Sequence, residues 1–181
     1  MNNIYPLNPA IGTNVVTLFD WSCESTGVRS TGNIPIPVDC AIIKIHMSLR
    51  SSYNAAVDTM SFIVNNRTTV ADYYYALGRQ GLSTVNSLAA TNNIFSASGA
   101  TSSAGHICHY DMTIYDPKRP QKHHNVVWNA MLWRADGSWI ENGGMMLNIT
   151  NEFPAIDTIK FDLTNGFFAP PTRITVLGFL I

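Results

Sequence analysis

The chain has 181 residues, 46% of them hydrophobic and only 13% charged, against about 25% charged in a typical soluble domain. With 11 Lys and Arg facing 12 Asp and Glu, the formal charge is −1, so the polar surface must come from Asn, Ser and Thr. This balance excludes a disordered tail, which needs low hydrophobicity and high net charge, and it removes the positive footprint that binding to nucleic acid requires.

Residues 1–12 contain Pro6, Pro9 and Gly12 and show no periodic pattern, so an extended N-terminal arm is expected there. Its apolar side chains Ile4, Tyr5, Leu7 and Ile11 are the candidate anchor to another protein, by strand addition or hydrophobic docking. The opening Met1-Asn2-Asn3-Ile4-Tyr5-Pro6 has neither the basic nor the apolar region of a secretory signal. No stretch approaches the ~20 apolar residues of a membrane span, so no membrane insertion is expected. Residues 13–181 have the length of one domain.

Val15 to Trp21 is almost continuously apolar, as in a strand buried on both faces or packed at an interface. Ser25-Thr26-Gly27 and Thr31-Gly32-Asn33 then mark turns. Ile43, Ile45, Met47 and Leu49 alternate with Lys44, His46, Ser48 and Arg50, the period of a strand with one buried face. Phe62 and Val64 repeat the pattern before Asn65, where the sequon Asn66-Arg67-Thr68 reads as a hairpin turn. Thr69 to Leu77 fits a short helix or a strand, and Tyr73-Tyr74-Tyr75 favours strand. Residues 83–105, dominated by Ser, Ala, Thr, Asn and Gly, are expected as a long surface loop or a contact with a neighbouring subunit, with positions 96–104 dispensable for folding.

Cys108, Tyr110, Met112 and Ile114 alternate with His109, Asp111 and Thr113 in a further strand. Lys118 to His124 is a basic, solvated loop, and Val126 to Trp133 is a strand apolar on both sides. Asp136-Gly137 marks a tight hairpin tip before Trp139-Ile140, and Gly143-Gly144 reads as another turn. The sequon Asn148-Ile149-Thr150 reads as a strand end. Ile159, Phe161 and Leu163 alternate with Lys160 and Asp162, Asn165-Gly166 turns the chain, and Ile174 to Ile181 is a last apolar strand. Seven or eight short strands at regular spacing with almost no helix predict an all-β antiparallel sandwich or barrel.

Little in this pattern carries chemistry. His106, Cys108, His109 and Asp111 are the densest set of potential ligands, with His123-His124 close behind. On a strand, however, His109 and Asp111 take one face and His106 and Cys108 the other, so no metal site is expected. Cys23, Cys40 and Cys108 are too few and too scattered for a disulfide framework and read as buried thiols. No nucleophile elbow, phosphate-binding loop or selected carboxylate pair occurs, so the expectation is no catalytic residues, no cofactor and no enzyme activity. Trp128, Trp133 and Trp139 fall within one hairpin and suit core or subunit interface, with a sugar-stacking platform as the alternative.

Three segments carry a resemblance: Ala155-Ile156-Asp157-Thr158-Ile159-Lys160-Phe161, then Asn165-Gly166-Phe167-Phe168-Ala169, then Arg173-Ile174-Thr175-Val176-Leu177-Gly178-Phe179. With the upstream runs Ile43 to Ser52 and Met60 to Asn65, they resemble the strand pattern of small jelly-roll virion proteins of tailed bacteriophages. The likeness spans about residues 40–181 and is one of strands, not of a catalytic signature. It departs from the family at Phe179, where Ile is common, and at Pro170-Pro171, where the family has a Gly-Ser turn.

The resemblance implies a jelly-roll β-sandwich that assembles on a virion as a homotrimer. The apolar surplus of Val126 to Trp133 and Ile174 to Ile181 agrees with a subunit interface, for which Trp128, Trp133, Ile174, Val176 and Phe179 are the candidates. One domain with a short arm suits a capsid decoration (cement) protein. It would bind the major capsid protein, stabilise the head, and sit on the capsid exterior after assembly in the host bacterial cytoplasm. The alternative is the receptor-binding or carbohydrate-binding tip of a tail or head fibre, with a host-surface glycan as partner.

Overall fold

The computed structural model of the chain describes residues 14–25, 27–69, 73–80, 87–90, 93–103, 105–119, 124–134, 137–147 and 155–181; within them the side chains of 74–80, 87–90, 93–94, 134, 137–139 and 146–147 are not described. Ile4, Tyr5, Leu7 and Ile11, with the arm expected for residues 1–12, lie outside these residues, as does the second sequon.

Twelve strands make up the described fold: β1 Asn14–Ser22, β2 Ile34–Pro35, β3 Cys40–Leu49, β4 Val57–Val64, β5 Tyr73–Gln80, β6 Ser87–Ala90, β7 Asn93–Ser98, β8 Cys108–Tyr115, β9 His124–Arg134, β10 Gly137–Leu147, β11 Thr158–Leu163 and β12 Arg173–Leu180. They form two antiparallel sheets packed face to face, one of eight strands in the order β1-β12-β3-β8-β9-β10-β5-β6 and one of four in the order β2-β11-β4-β7. Among the described residues there is no helix. The all-β sandwich expected from period-two alternation is therefore present.

Alternation builds the core directly. Ile43, Ile45, Met47 and Leu49 of β3, with Cys108, Tyr110, Met112 and Ile114 of β8, face inward and are buried. Met60, Phe62 and Val64 of β4 and Ile159, Phe161 and Leu163 of β11 meet them from the smaller sheet. Each large apolar side chain so removed from water contributes roughly 1.5–3 kcal/mol. Phe95 of β7 packs edge-on against Phe62, Tyr110 and Trp128, with ring centroids 5.0 to 6.4 Å apart.

Polar groups fasten the ends of the sandwich. Buried Asp58 accepts hydrogen bonds from Ser51 Oγ, the Thr59 and Gly166 amides, and both the amide and Nδ2 of Asn165. One carboxylate thereby fixes the Asn165-Gly166 turn against the start of β4. The Arg50 guanidinium donates to the carbonyls of Ser102, Ser103 and His106, clamping the segment between β7 and β8.

Three expectations need correction. Residues 83–105 are not one long loop: they contain β6 and β7, and Phe95, Ser96, Ala97 and Ser98 are all buried. Small side chains suffice there because β7 fills its inner positions with one large ring and one methyl. Gly143-Gly144 is not a turn but the middle of β10, where a Cβ on Gly143 would lie 2.1 Å from the Trp128 ring. The glycine is present because the indole of the neighbouring strand lies across it. The turn at Asn65 and Asn66 is real, with φ of 49° and 57° and the Arg67 amide bonded to the Val64 carbonyl, yet it closes no hairpin, because β4 and β5 belong to different sheets. The window left between helix and strand is strand β5.

Candidate functional site

The smaller sheet covers only part of the larger, and the larger sheet turns its other face outward. Residues paired across antiparallel strands share a face, so the registers of β1, β12, β3, β8, β9 and β10 arrange the outward side chains in rows perpendicular to the strands. One row runs Arg173, Ser48, His109, Met131, Ile140. The next runs Asp20, Thr175, His46, Asp111, Asn129, Asn142. A third holds Thr17, Leu177, Lys44, Thr113, Val127 and Gly144, and a fourth Val15, Phe179, Ile42 and Tyr115. Neighbouring side chains within a row lie about 5 Å apart and successive rows about 7 Å apart.

The first two rows form a polar floor. His46 Nδ1 is paired with Asp111, and Ser48 Oγ lies 3.0 Å from His109 Nδ1. Arg173 grips Asp20 through Nε and Nη2 at 3.2 and 3.0 Å, and Thr175 donates to the same carboxylate at 2.9 Å. The bond from Arg173 first, and that from Thr175 second, holds the Asp20 carboxyl below the usual aspartate range, and Asp20 in turn raises the Arg173 guanidinium. The second ring nitrogen of each histidine and the amides of Asn129 and Asn142 have no partner among the described residues.

The surface here is concave. A hollow of about 530 Å³ is lined by both histidines, Asp111, Asn129, Met131, Ile140 and Arg173. A second, of about 430 Å³, adjoins it over Lys44, Val127, Asn142 and Gly143 and shares His46, Asp111 and Asn129. Trp133, two residues along β9 from Met131 and so on the same face, is 48% exposed. Charge is balanced, Lys44 and Arg173 against Asp20 and Asp111.

The third row mixes Leu177 and Val127 with Thr17, Lys44 and Thr113, and the fourth is apolar. Phe179 is half-buried beneath the Lys44 ammonium, 5.8 Å from its ring centre. Val127, Tyr115 and Val15 are 43%, 49% and 54% exposed. The sheet face thus carries a polar trough at one end and an apolar strip at the other.

Of the expected interface residues, Trp128, Ile174 and Val176 point into the sandwich of a single chain, where each is 2% exposed or less. Trp128 also donates from Nε1 to the buried Glu141 carboxylate at 3.2 Å. Only Trp133 and Phe179 reach the outer face. Residue Trp139 lies opposite Leu132 in β10, and its side chain is not described.

His109 and Asp111 do share the outer face and Cys108 takes the inner one, as their parity requires. Among the described residues no group of three His, Cys, Asp or Glu could hold a metal ion. Chemically, the two polar pairs stay separate: Asp111 orients His46, while Ser48 meets His109. The three cysteines are buried and form no disulfide among the described residues, and burial pushes the Cys23 and Cys40 thiols up. His46, Asn129 and Asn142 escaped sequence reasoning because only strand register brings them together: Asn129 and Asn142 face each other across the β9–β10 hairpin, and His46 comes from β3, far away in the chain. Comparison with protein-family models, curated proteins and solved structures finds no match to this chain.

Proposed function

We propose that the chain is a jelly-roll structural protein of a bacteriophage virion, a decoration protein that binds the capsid exterior and stabilises the head as a homotrimer. Strand order is the observation that carries this reading. If β5-β6 and β9-β10 are set aside as inserted hairpins, the eight remaining strands, renumbered in sequence, give sheets ordered 1-8-3-6 and 2-7-4-5. Successive strands change sheets at every step except the fourth to the fifth, as in a chain wound through two Greek keys.

The inserted hairpins widen the sheet that carries the apolar strip. Subunit or capsid contact would cover Phe179, Tyr115, Val127 and Val15, a location that fits an expected surplus of apolar surface. The fibre-tip alternative draws its support from the polar trough, whose unpartnered amides and histidine nitrogens are suited to binding a ligand.

Copy number on purified particles distinguishes the two readings. Hundreds of copies per head are expected for a decoration protein, and a few to a few tens would favour the tip. Sedimentation should give a trimer; a monomer of about 20 kDa at micromolar concentration would refute the assembly. Removal of residues 1–12 is expected to weaken capsid attachment, and unchanged attachment would overturn their anchoring role.

A further inference from the structure

We infer that the trough on the outer face is a saccharide-binding site for a neutral oligosaccharide, a role that holds whether the chain decorates a head or tips a fibre. The argument starts from hydrogen-bonding capacity. A sugar hydroxyl both donates and accepts, so its site needs short, fixed side chains of both kinds. Asn129 and Asn142, adjacent on paired strands, each offer an amide with no partner among the described residues. Next to them His46 presents its second ring nitrogen while Asp111 holds the first. All of these project from a sheet and not from loops, so they are positioned before any ligand arrives.

Shape and charge narrow the ligand class. The trough crosses β12, β3, β8, β9 and β10, a width of about 19 Å, which suits a chain of several sugar units better than one ring. Met131 and Ile140 supply apolar contact for C–H faces, and Trp133, next beyond Met131 on the same face of β9, offers an exposed ring on which a pyranose can stack. Arg173 is committed to Asp20, the Lys44 ammonium lies over the Phe179 ring and the Asp111 carboxylate sits mid-trough, so the lining carries balanced charge and suits a neutral ligand better than an anionic one. Peptide strand addition needs an open sheet edge, and this site lies on a face.

The test uses the full chain and an array of oligosaccharides: neutral oligomers of glucose, galactose, mannose and N-acetylglucosamine beside sialylated and sulfated ones. Binding to at least one neutral oligomer is expected. The double variant Asn129→Ala/Asn142→Ala should weaken it by about tenfold or more, as should Trp133→Ala, whereas Val38→Ser at a remote exposed site should not. Thermal unfolding, expected to be unchanged, shows that the variants remain folded. The inference is overturned if no neutral oligomer binds, if only anionic ones bind, or if the variants bind as well as the parent chain. None of those results would alter the copy number on the particle, which separately tests the virion role.

Discussion

Two glycines side by side in β10 show how one atom decides what a position tolerates. A Cβ at Gly143 would fall within 2.2 Å of two atoms of the Trp128 indole, whereas at Gly144 its nearest neighbour is the Val126 carbonyl at 3.6 Å. Gly143→Ala should therefore cost about 1–3 kcal/mol through forced displacement of the ring, and Gly144→Ala less than about 0.5 kcal/mol. Chemical denaturation followed by tryptophan fluorescence measures both, and equal costs would contradict the packing described. Charge supplies a second contrast. Because Asp20 has a lowered pKa in the folded protein, its bonds to Arg173 and Thr175 contribute above the aspartate range and are lost as pH falls through the folded value. Asp20→Asn is expected to lower the melting temperature at neutral pH, and the gap between variant and parent should close on acidification. A gap independent of pH would show that charge has no part in it.

Strand β7 depends on the opposite sheet for more than apolar contact. As the edge of the four-stranded sheet it has backbone groups that no neighbouring strand can pair, and Tyr110 of β8 reaches across the core to meet them. Its hydroxyl accepts from the Ser96 amide at 2.8 Å and donates to the Ser96 carbonyl at 3.2 Å, and burial drives the phenol well above its usual range. Tyr110→Phe should destabilise the fold by about 1–3 kcal/mol, because buried donors and acceptors are left unmet. Deleting 96–104 should abolish soluble protein; a folded product would show that β7 is dispensable. Sequence legibility differed along the same lines. Strands β3, β4, β8 and β11 were evident because large apolar side chains recur at every second position. Strand β7 was hidden because Ser96, Ala97 and Ser98 contribute little hydrophobic contrast, although all three are buried. The parity of His109 and Asp111 was readable from their spacing, but their neighbours His46 and Asn129 come from β3 and β9, and only pairing brings those strands together.

At the scale of the molecule, the eight-stranded sheet turns one broad face away from the four-stranded sheet, and that face carries two chemistries. Near its narrow edge the sheet has another property. Strand β12 lies between β1 and β3, so that Val16 reaches its partner Gly178 and Ile45 its partner Val176 only across most of the chain. Pairings so distant in sequence are slow to form, because a long loop must close before any contact rewards it. During synthesis, moreover, β1 and β3 emerge from the ribosome long before the strand that joins them. Each then exposes an edge capable of pairing with another chain. Nascent chains stalled before residue 173 should therefore remain protease-sensitive and bind chaperones, and those extended far enough for residue 180 to clear the exit tunnel should become resistant. Protection acquired earlier would mean that β1 and β3 find another partner first. The strand that completes the sheet thus also sets the time at which the newborn chain ceases to be adhesive to its neighbours.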